Sequence, residues 1–252
     1  MAFVRPEPPI AFAHRGASGH AQENTLAAFE LAVELGATGI ESDTWLSADG
    51  IPVLVHDRTI RRPGQRIDVT RRTAAELATY GVPSLADLYA TIGPGHEVSL
   101  DIQHPQVAQP AVDVAVAHGA AARLWACSPS LDVLRTVRAR SEDVRVVCST
   151  RPRRVPGGLR SLVPELVELG VDVLNLHWRD WTPALVDLVH EAGLLAFGWD
   201  AQAGETIRRL LGLGVDGIYS DWPDRLVEAI AARPRPAPAI DPAASALPAA
   251  GL

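Results

Sequence analysis

Short apolar runs recur along the chain and alternate with longer stretches of helical spacing. The runs are IAFAH (10–14), TGIESD (38–43), EVSLDI (97–102), RLWACS (123–128), VRVVCST (144–150), VDVLNL (171–176), LLAFGW (194–199) and VDGIYSD (215–221). Their length and apolar character read as strands buried on both faces. Between them, NTLAAFELAVELGA places Leu26, Phe29 and Val33 on one helical face and stops at Gly36. SPSLDVLRTVRAR, RSLVPELVELG, TPALVDLVHEAG and AGETIRRLLGLG repeat the pattern, and the last three end in a glycine suited to a left-handed cap. Eight strand–helix repeats predict an α/β fold, a closed (β/α)8 TIM barrel. The alternative is an open doubly wound sheet, which would bring a Gly-rich phosphate loop after the first strand, where this chain reads HRGAS.

One element breaks the alternation. In GIESDTWLSADGIPVLVHD (39–57) a strand, a turn and a second β-branched run follow too closely for a parallel crossover, so they predict an antiparallel hairpin. Folding it about Ala48 and Asp49 sets residue 46 opposite 51 and brings Glu41 near His56. Period-two alternation puts Glu41 and Asp43 on one face. The segment from His56 to Val98 is longer than an ordinary connection and reads as a short insert, holding a helix or two, over the barrel mouth.

Composition narrows the class. At 252 residues, 47% hydrophobic and 21% charged, the chain fits a single domain with a large core. Residues 1–232 are expected to form the barrel, and 233–252, Pro- and Ala-rich without periodicity, a disordered tail. A net charge of −7, with RPRR (151–154) as its one basic run, argues against a nucleic-acid partner. No run reaches the length of a membrane span and the N-terminus lacks the pattern of a secretory signal, so a cytoplasmic protein without stable membrane insertion is expected. Cys127 and Cys148 fall in buried strands and read as small apolar thiols.

Polar residues gather at the ends of the first three runs, where a barrel builds its site: His14 and Arg15, Glu41 and Asp43, Asp101 and Gln103. Three adjacent acids suit a hard divalent cation with oxygen ligands; the alternative is an acid cluster neutralised by Arg15 or Arg58. His14 and His56 beside them are candidates for a general acid and base, and Arg15 has the charge and fork to meet a phosphate. Cation, arginine and two imidazoles together point to phosphodiester cleavage.

The stretches AHRGASGHAQENTLAAF, GIESDTWLSADGIPVLVHD and GVDGIYSDWPD resemble the glycerophosphodiester phosphodiesterase family over roughly residues 10 to 231, with the His-Arg-Gly, Glu-Asn-Thr, Glu-x-Asp and His-Asp elements in order. The resemblance implies a TIM barrel that hydrolyses small-molecule glycerophosphodiesters to an alcohol and glycerol 3-phosphate with a divalent cation, Mg²⁺ or Ca²⁺, with Mn²⁺ a further candidate. It implies His14 and His56 as the acid/base pair, Glu41 and Asp43 as metal ligands with Asp101 at the third ligand position, and Arg15 as a phosphate contact. Glu23 and Asn24 would brace the site, and Trp199 would line the pocket for the leaving alcohol. The chain departs from the family on the third strand: SLDIQHP puts Gln103 where the family carries lysine, leaving a substrate contact that offers only a neutral hydrogen bond, with His104 and Arg151 the candidates to replace the lost charge. That departure leaves two alternatives, a weak relative that binds a phosphodiester or phospholipid head group, and an enzyme turned to lysophospholipids. Trp45, Trp178 and Trp222 join Trp199 as candidates for a pocket wall with cation–π contact to choline, and His177 is a further candidate at a strand end.

Overall fold

Each of the eight apolar runs forms a parallel strand, and the eight close on themselves. A computed structural model of the protein describes residues 4–233; from residue 234 on, the tail expected from composition lies outside the described residues. The strands are β1 (Ile10–His14), β2 (Gly39–Leu46), its short antiparallel partner β3 (Pro52–Leu54), a separate hairpin of β4 (Thr59–Arg62) and β5 (Gln65–Asp68), then β6 (Glu97–Ile102), β7 (Leu124–Ser128), β8 (Arg145–Thr150), β9 (Val173–His177), β10 (Leu195–Trp199) and β11 (Gly217–Ser220). Around the wall the order is β1-β11-β10-β9-β8-β7-β6-β2, and a β1–β2 pairing closes the ring. Helices α1 (Leu26–Glu34), α2 (Ala74–Ala78), α3 (Leu85–Ile92), α4 (Pro105–Ala117), α5 (Leu131–Arg140), α6 (Leu159–Glu168), α7 (Pro183–Glu191), α8 (Gly204–Leu213) and α9 (Pro223–Ala231) run between the strands. The expected (β/α)8 barrel is the fold, with β3 as its hairpin extension.

Parity divides the strand residues between two cores. Odd positions point inward on every barrel strand but β1, where the even ones do: Phe12, Trp125, Cys127, Val147, Val173, Leu195, Phe197 and Tyr219 form one buried cluster inside the barrel, joined by Ile10 at its base. Even positions such as Ile40, Val98, Leu100, Val146, Leu174, Ala196 and Ile218 pack outward beneath the helices. Burying each large side chain contributes about 1.5–3 kcal/mol. The interior is an aromatic plug, with Phe12 stacked on Tyr219 at 4.6 Å between centroids and Trp125 tilted on Phe197 at 5.2 Å. Gly39 and Gly217 make room for it: a Cβ at Gly39 would stand 2.5 Å from the Phe12 ring, and one at Gly217 would stand 2.8 Å from that of Phe197. At the rim of the plug stand His14, Glu41, Asp43, Asp101, Asn175 and Trp199.

Two sequence expectations need correction. The hairpin pairs Leu46 with Pro52, Trp45 with Val53 and Thr44 with Leu54, one residue away from the expected register. Ser47 and Ile51 close the turn, Ser47 N donating to Ile51 O at 3.0 Å and Ile51 N to Ser47 Oγ at 3.0 Å. The loop therefore holds three residues, with Gly50 at φ 77°. A one-residue slip reverses sidedness, so His56 does not reach Glu41 as a ladder partner. The second correction is the insert, which holds the β4–β5 hairpin as well as α2 and α3. Cys127 and Cys148 are both buried and free, as expected. Among the described residues no helix is long and apolar enough to cross a membrane.

Candidate active site

Strand register explains the acid cluster. Asp43 on β2 lies beside Asp101 on β6, and His14 on β1 lies beside Glu41 on β2. Neighbours in adjacent strands that share a face stand about 5 Å apart. Candidate ligand oxygens of Glu41, Asp43 and Asp101 accordingly all lie within 4.8 Å of one another. Glu41 and Asp43 are buried and Asp101 is half-buried. Burial, partly offset by His14 and reinforced by Asp43 and Asp101, pushes Glu41 up to about 8. Burial followed by the Asp43 charge raises Asp101 to about 6. Asp43 Oδ2 is buried without a hydrogen bond, and its ion-pair partner, Arg15 Nε at 3.3 Å, lacks hydrogen-bond alignment. Three crowded carboxylates, one with an unsatisfied oxygen, are a donor set that fits a hard divalent cation. Arg15 neutralises part of this charge; Arg58 pairs instead with Asp68, at 2.9 Å.

The loop after β1 is built around this cluster. Arg15 sits at φ 55°, which turns its backbone N–H onto Glu41 Oε2 at 2.9 Å. Gly16, at φ 77°, follows because a Cβ there would lie 2.7 Å from the Ala28 backbone. Glu23 accepts from Arg15 Nη1 at 2.8 Å. Asn24, itself at φ 55°, donates its N–H to Arg15 O at 3.0 Å and accepts from Ser42 Oγ at 2.7 Å. Thr25 then caps α1. The three residues of Glu-Asn-Thr thus do three different things. Glu23 pairs the arginine, Asn24 clips the loop to β2, and Thr25 starts the helix.

His14 is half-buried, with Nδ1 2.6 Å from Asp221 Oδ1 and Nε2 3.8 Å from Glu41 Oε2. Burial would lower this imidazole, but the Glu41 charge and then the Asp221 hydrogen bond outweigh it and raise it to about 9. Asp221 also accepts from Ser18 Oγ at 3.1 Å, and its N–H donates to Gln202 Oε1 at 2.9 Å. Burial alone would raise Asp221; the His14 hydrogen bond and charge hold it below the usual carboxylate range. His56 reaches the same cavity from the bend beyond β3, its Nδ1 2.9 Å from Asp57 Oδ1 and its carbonyl held by Trp45 Nε1 at 3.1 Å.

The cavity over the barrel mouth measures about 390 Å³ and brings together His14, Arg15, Glu41, Asp43, His56, Asp101, Gln103 and Trp199. Glu23 and Asn24 stand behind Arg15. Gln103 donates from Nε2 to Asp43 Oδ1 at 2.9 Å, so its amide is spent on an acid of the cluster. Of the two candidates to replace the missing lysine, Arg151 lines the cavity, whereas His104 caps α4. Trp45, Trp178 and Trp222 are not among the residues lining the cavity. The Trp199 ring carries the Arg151 guanidinium 5.5 Å from its centroid, so the expected choline face already holds a cation. His177 is buried against Trp199 and bonds Asp200 at 3.0 Å.

A model of the glycerophosphoryl diester phosphodiesterase family matches residues 14–225. The chain belongs to this family. It is 30% identical to "Probable glycerophosphodiester phosphodiesterase 2" of Mycobacterium tuberculosis, over 92% of this chain and 94% of the relative. It is 24% identical to the glycerophosphodiester phosphodiesterase of Caldanaerobacter subterraneus subsp. tengcongensis, over 88% and 97%. In fold it is similar to an Oleispira antarctica phosphodiesterase solved with the product sn-glycerol-3-phosphate, at a TM-score of 0.77 and 24% identity over 88% of this chain and 97% of that one.

In a phosphodiesterase of this family, the residue that local sequence patterns most clearly fail to single out is Asp221. It stands in view in GVDGIYSDWPD, and the available signal is an acid one residue beyond the last strand, beside the first strand of a closed ring. Asn175 and Arg154 escape in the same way, the first inside an apolar run and the second inside a loop that reads as solvated.

Proposed function

We propose that the protein is a metal-dependent phosphodiesterase that cleaves glycerophosphodiesters to an alcohol and glycerol 3-phosphate. The observation that carries this reading is the juxtaposition, in one cavity, of three mutually close carboxylates with two histidines, each backed at Nδ1 by its own aspartate. Membership of the family supports it.

Glu41, Asp43 and Asp101 would hold Mg²⁺ or Ca²⁺. Such a cation, when bound, supplies positive charge to the phosphate oxygens and relieves the repulsion among the three acids. Arg15 is held by Glu23 on one side and Asp43 on the other, which leaves its fork oriented at the rim of the acid cluster. A phosphate there meets both the arginine and the cluster. His14 accepts the proton of the nucleophile at Nε2, from water, which gives glycerol 3-phosphate directly, or from the neighbouring glycerol hydroxyl, which gives a cyclic phosphate that water must then open to glycerol 3-phosphate. Asp221 fixes the tautomer with Nδ1–H and stabilises the imidazolium that forms. As the new O–P bond forms, the bond from phosphorus to the leaving oxygen breaks, and His56 Nε2 protonates that oxygen. Gln103 braces Asp43 in this scheme.

The test is release of glycerol 3-phosphate and alcohol from a panel of glycerophosphodiesters with Mg²⁺, Ca²⁺ or Mn²⁺ and with EDTA. Release that EDTA abolishes is expected, and His14→Ala and His56→Ala should each remove it from folded protein. Full activity in either variant would overturn the acid/base assignment.

A further inference from the structure

The ring order sets two unlike walls across one cavity. Counting round the barrel, β8, β9 and β10 stand opposite β1, β2 and β6. The second group carries the acid cluster and His14. The first presents Arg151, Arg154, Asn175 and Trp199 to the same cavity. Phosphate held at the acid wall leaves one arm of the diester to lie along the far wall, whose chemistry then selects that arm.

Two arginines and the acid Asp200 line that wall, and its one charge with no side-chain partner among the described residues is a cation. Arg151 ion-pairs with Asp180 at 2.6 Å and covers Trp199, which cancels one charge and blocks an aromatic face. Asp200 is engaged by His177 at 3.0 Å. Arg154 follows on the short 3-10 turn Pro152–Arg154, is exposed at the rim, and has no side-chain hydrogen bond or ion pair among the described residues. At the base of the wall Asn175 is 4% exposed, donates to Ser149 Oγ at 3.2 Å, and leaves Oδ1 without a partner. A free guanidinium at the rim calls for an oxyanion, and an unused carbonyl oxygen below it calls for a hydroxyl. A quaternary ammonium is served less well: the Trp199 face is taken, the Asp200 carboxylate is already bonded by His177 and Gln202, and the unpaired Arg154 repels it.

We propose that this wall selects glycerophosphodiesters whose second alcohol is a hydroxylated arm bearing its own anionic group, over those with a choline arm. The proposal rests on the phosphodiesterase reading of the opposite wall. It assigns Arg154 as the residue that reads the charge of the arm.

Three diesters test it: glycerophosphocholine, glycerophosphoglycerol, and glycerophosphoglycerophosphate, whose leaving alcohol is a phosphate monoester. Glycerol 3-phosphate release is measured for the wild type, Arg154→Gln and Arg154→Glu at low and raised ionic strength. The wild type should rank the anionic arm first and choline last in kcat/KM. The anionic-to-choline ratio should fall about fivefold in Arg154→Gln and about 25-fold in Arg154→Glu, and should shrink with salt, as exposed charge pairs do. A wild-type preference for choline, or a ratio unchanged in Arg154→Glu, overturns the inference and leaves the phosphodiesterase reading standing. No turnover of any of the three by folded wild-type protein overturns both.

Discussion

Replacing Asp221 with asparagine separates what this carboxylate does for His14 from what it does for the fold. The Nδ1···Oδ1 distance is 2.6 Å, short enough for a charge-assisted hydrogen bond, and Asn keeps the shape and an acceptor oxygen while removing the charge. A hydrogen bond to a charged partner is worth about 1.5–3 kcal/mol. If that energy is realised as His14 takes a proton in the transition state, kcat/KM falls by about 10- to 150-fold. The pH profile supplies a second, independent readout. With no cation on Glu41 the His14 imidazole stands near 9, raised by Glu41 first and then by the Asp221 hydrogen bond; a cation held by Glu41 would offset the first and leave the second. Loss of the Asp221 charge lowers that value, so the acidic limb of the profile must move toward lower pH. Ser18→Ala is the control, because it removes a neutral donor that reaches Asp221 at 3.1 Å and the His14 carbonyl at 2.7 Å, and leaves the carboxylate in place. Its effect should stay within about fivefold. The assay is steady-state release of glycerol 3-phosphate at saturating cation from about pH 5 to 9, spanning the ordinary and the raised imidazole values, with circular dichroism to establish that each variant is folded. A fully folded Asp221→Asn enzyme within about twofold of wild type, with its acidic limb unmoved, would refute the pairing as part of catalysis.

Cation removal should tie stability to pH. Glu41 rises to about 8 and Asp101 to about 6, in both cases chiefly through burial, so the folded chelated protein binds more protons than the unfolded chain between about pH 4 and 8. Its stability must fall as pH rises through that window, and His14 extends the fall toward 9. Thermal unfolding with EDTA should show this slope and saturating Mg²⁺ or Ca²⁺ should flatten it; parallel curves would exclude the acid cluster as the cation site. Gly217→Ala places a Cβ 2.8 Å from the Phe197 ring and should cost about 1–3 kcal/mol by overpacking, seen as a lowered Tm with turnover per folded molecule retained. An unchanged Tm would contradict the tight interior plug. Gln103→Lys, alone or with Asp101→Glu, removes the 2.9 Å amide brace on Asp43 and sets a second cation against it. The expected result is an unchanged or lower rate with a higher cation requirement; a large gain would favour the reading of a weakened, binding-only relative.

The division between what the sequence reveals and what it hides follows from the range of the forces involved. Eight strands are legible because strands buried on both faces must be apolar throughout, and the helices because an amphipathic face and its glycine stop are local. The pairing of Glu41 with Asp43 is legible for the same reason, since period-two alternation needs no partner strand. The β4–β5 hairpin is hidden because TIRRPGQRID buries little apolar surface. Ile67 is its one buried side chain, and Pro63-Gly64 its one local turn mark. The β2–β3 register differs by one residue from expectation because Ser47, through its own hydroxyl, closes a three-residue loop where composition alone favours two.

Asp221 is illegible for a different reason. It lies 207 residues from His14 in the chain, and they meet only because β11 returns to pair with β1. No local pattern can announce a contact that exists through ring closure. Once eight parallel strands are granted, however, closure makes the last strand end a neighbour of the first, and an acid there faces whatever the first strand presents. The same step places β8 to β10 across from the acid cluster, and makes a basic loop that reads as solvated part of the cavity wall opposite the acids. In a closed barrel, strand number is therefore chemical information, and a polar residue at a strand end is best read against the strand half a turn away as well as against its own neighbours.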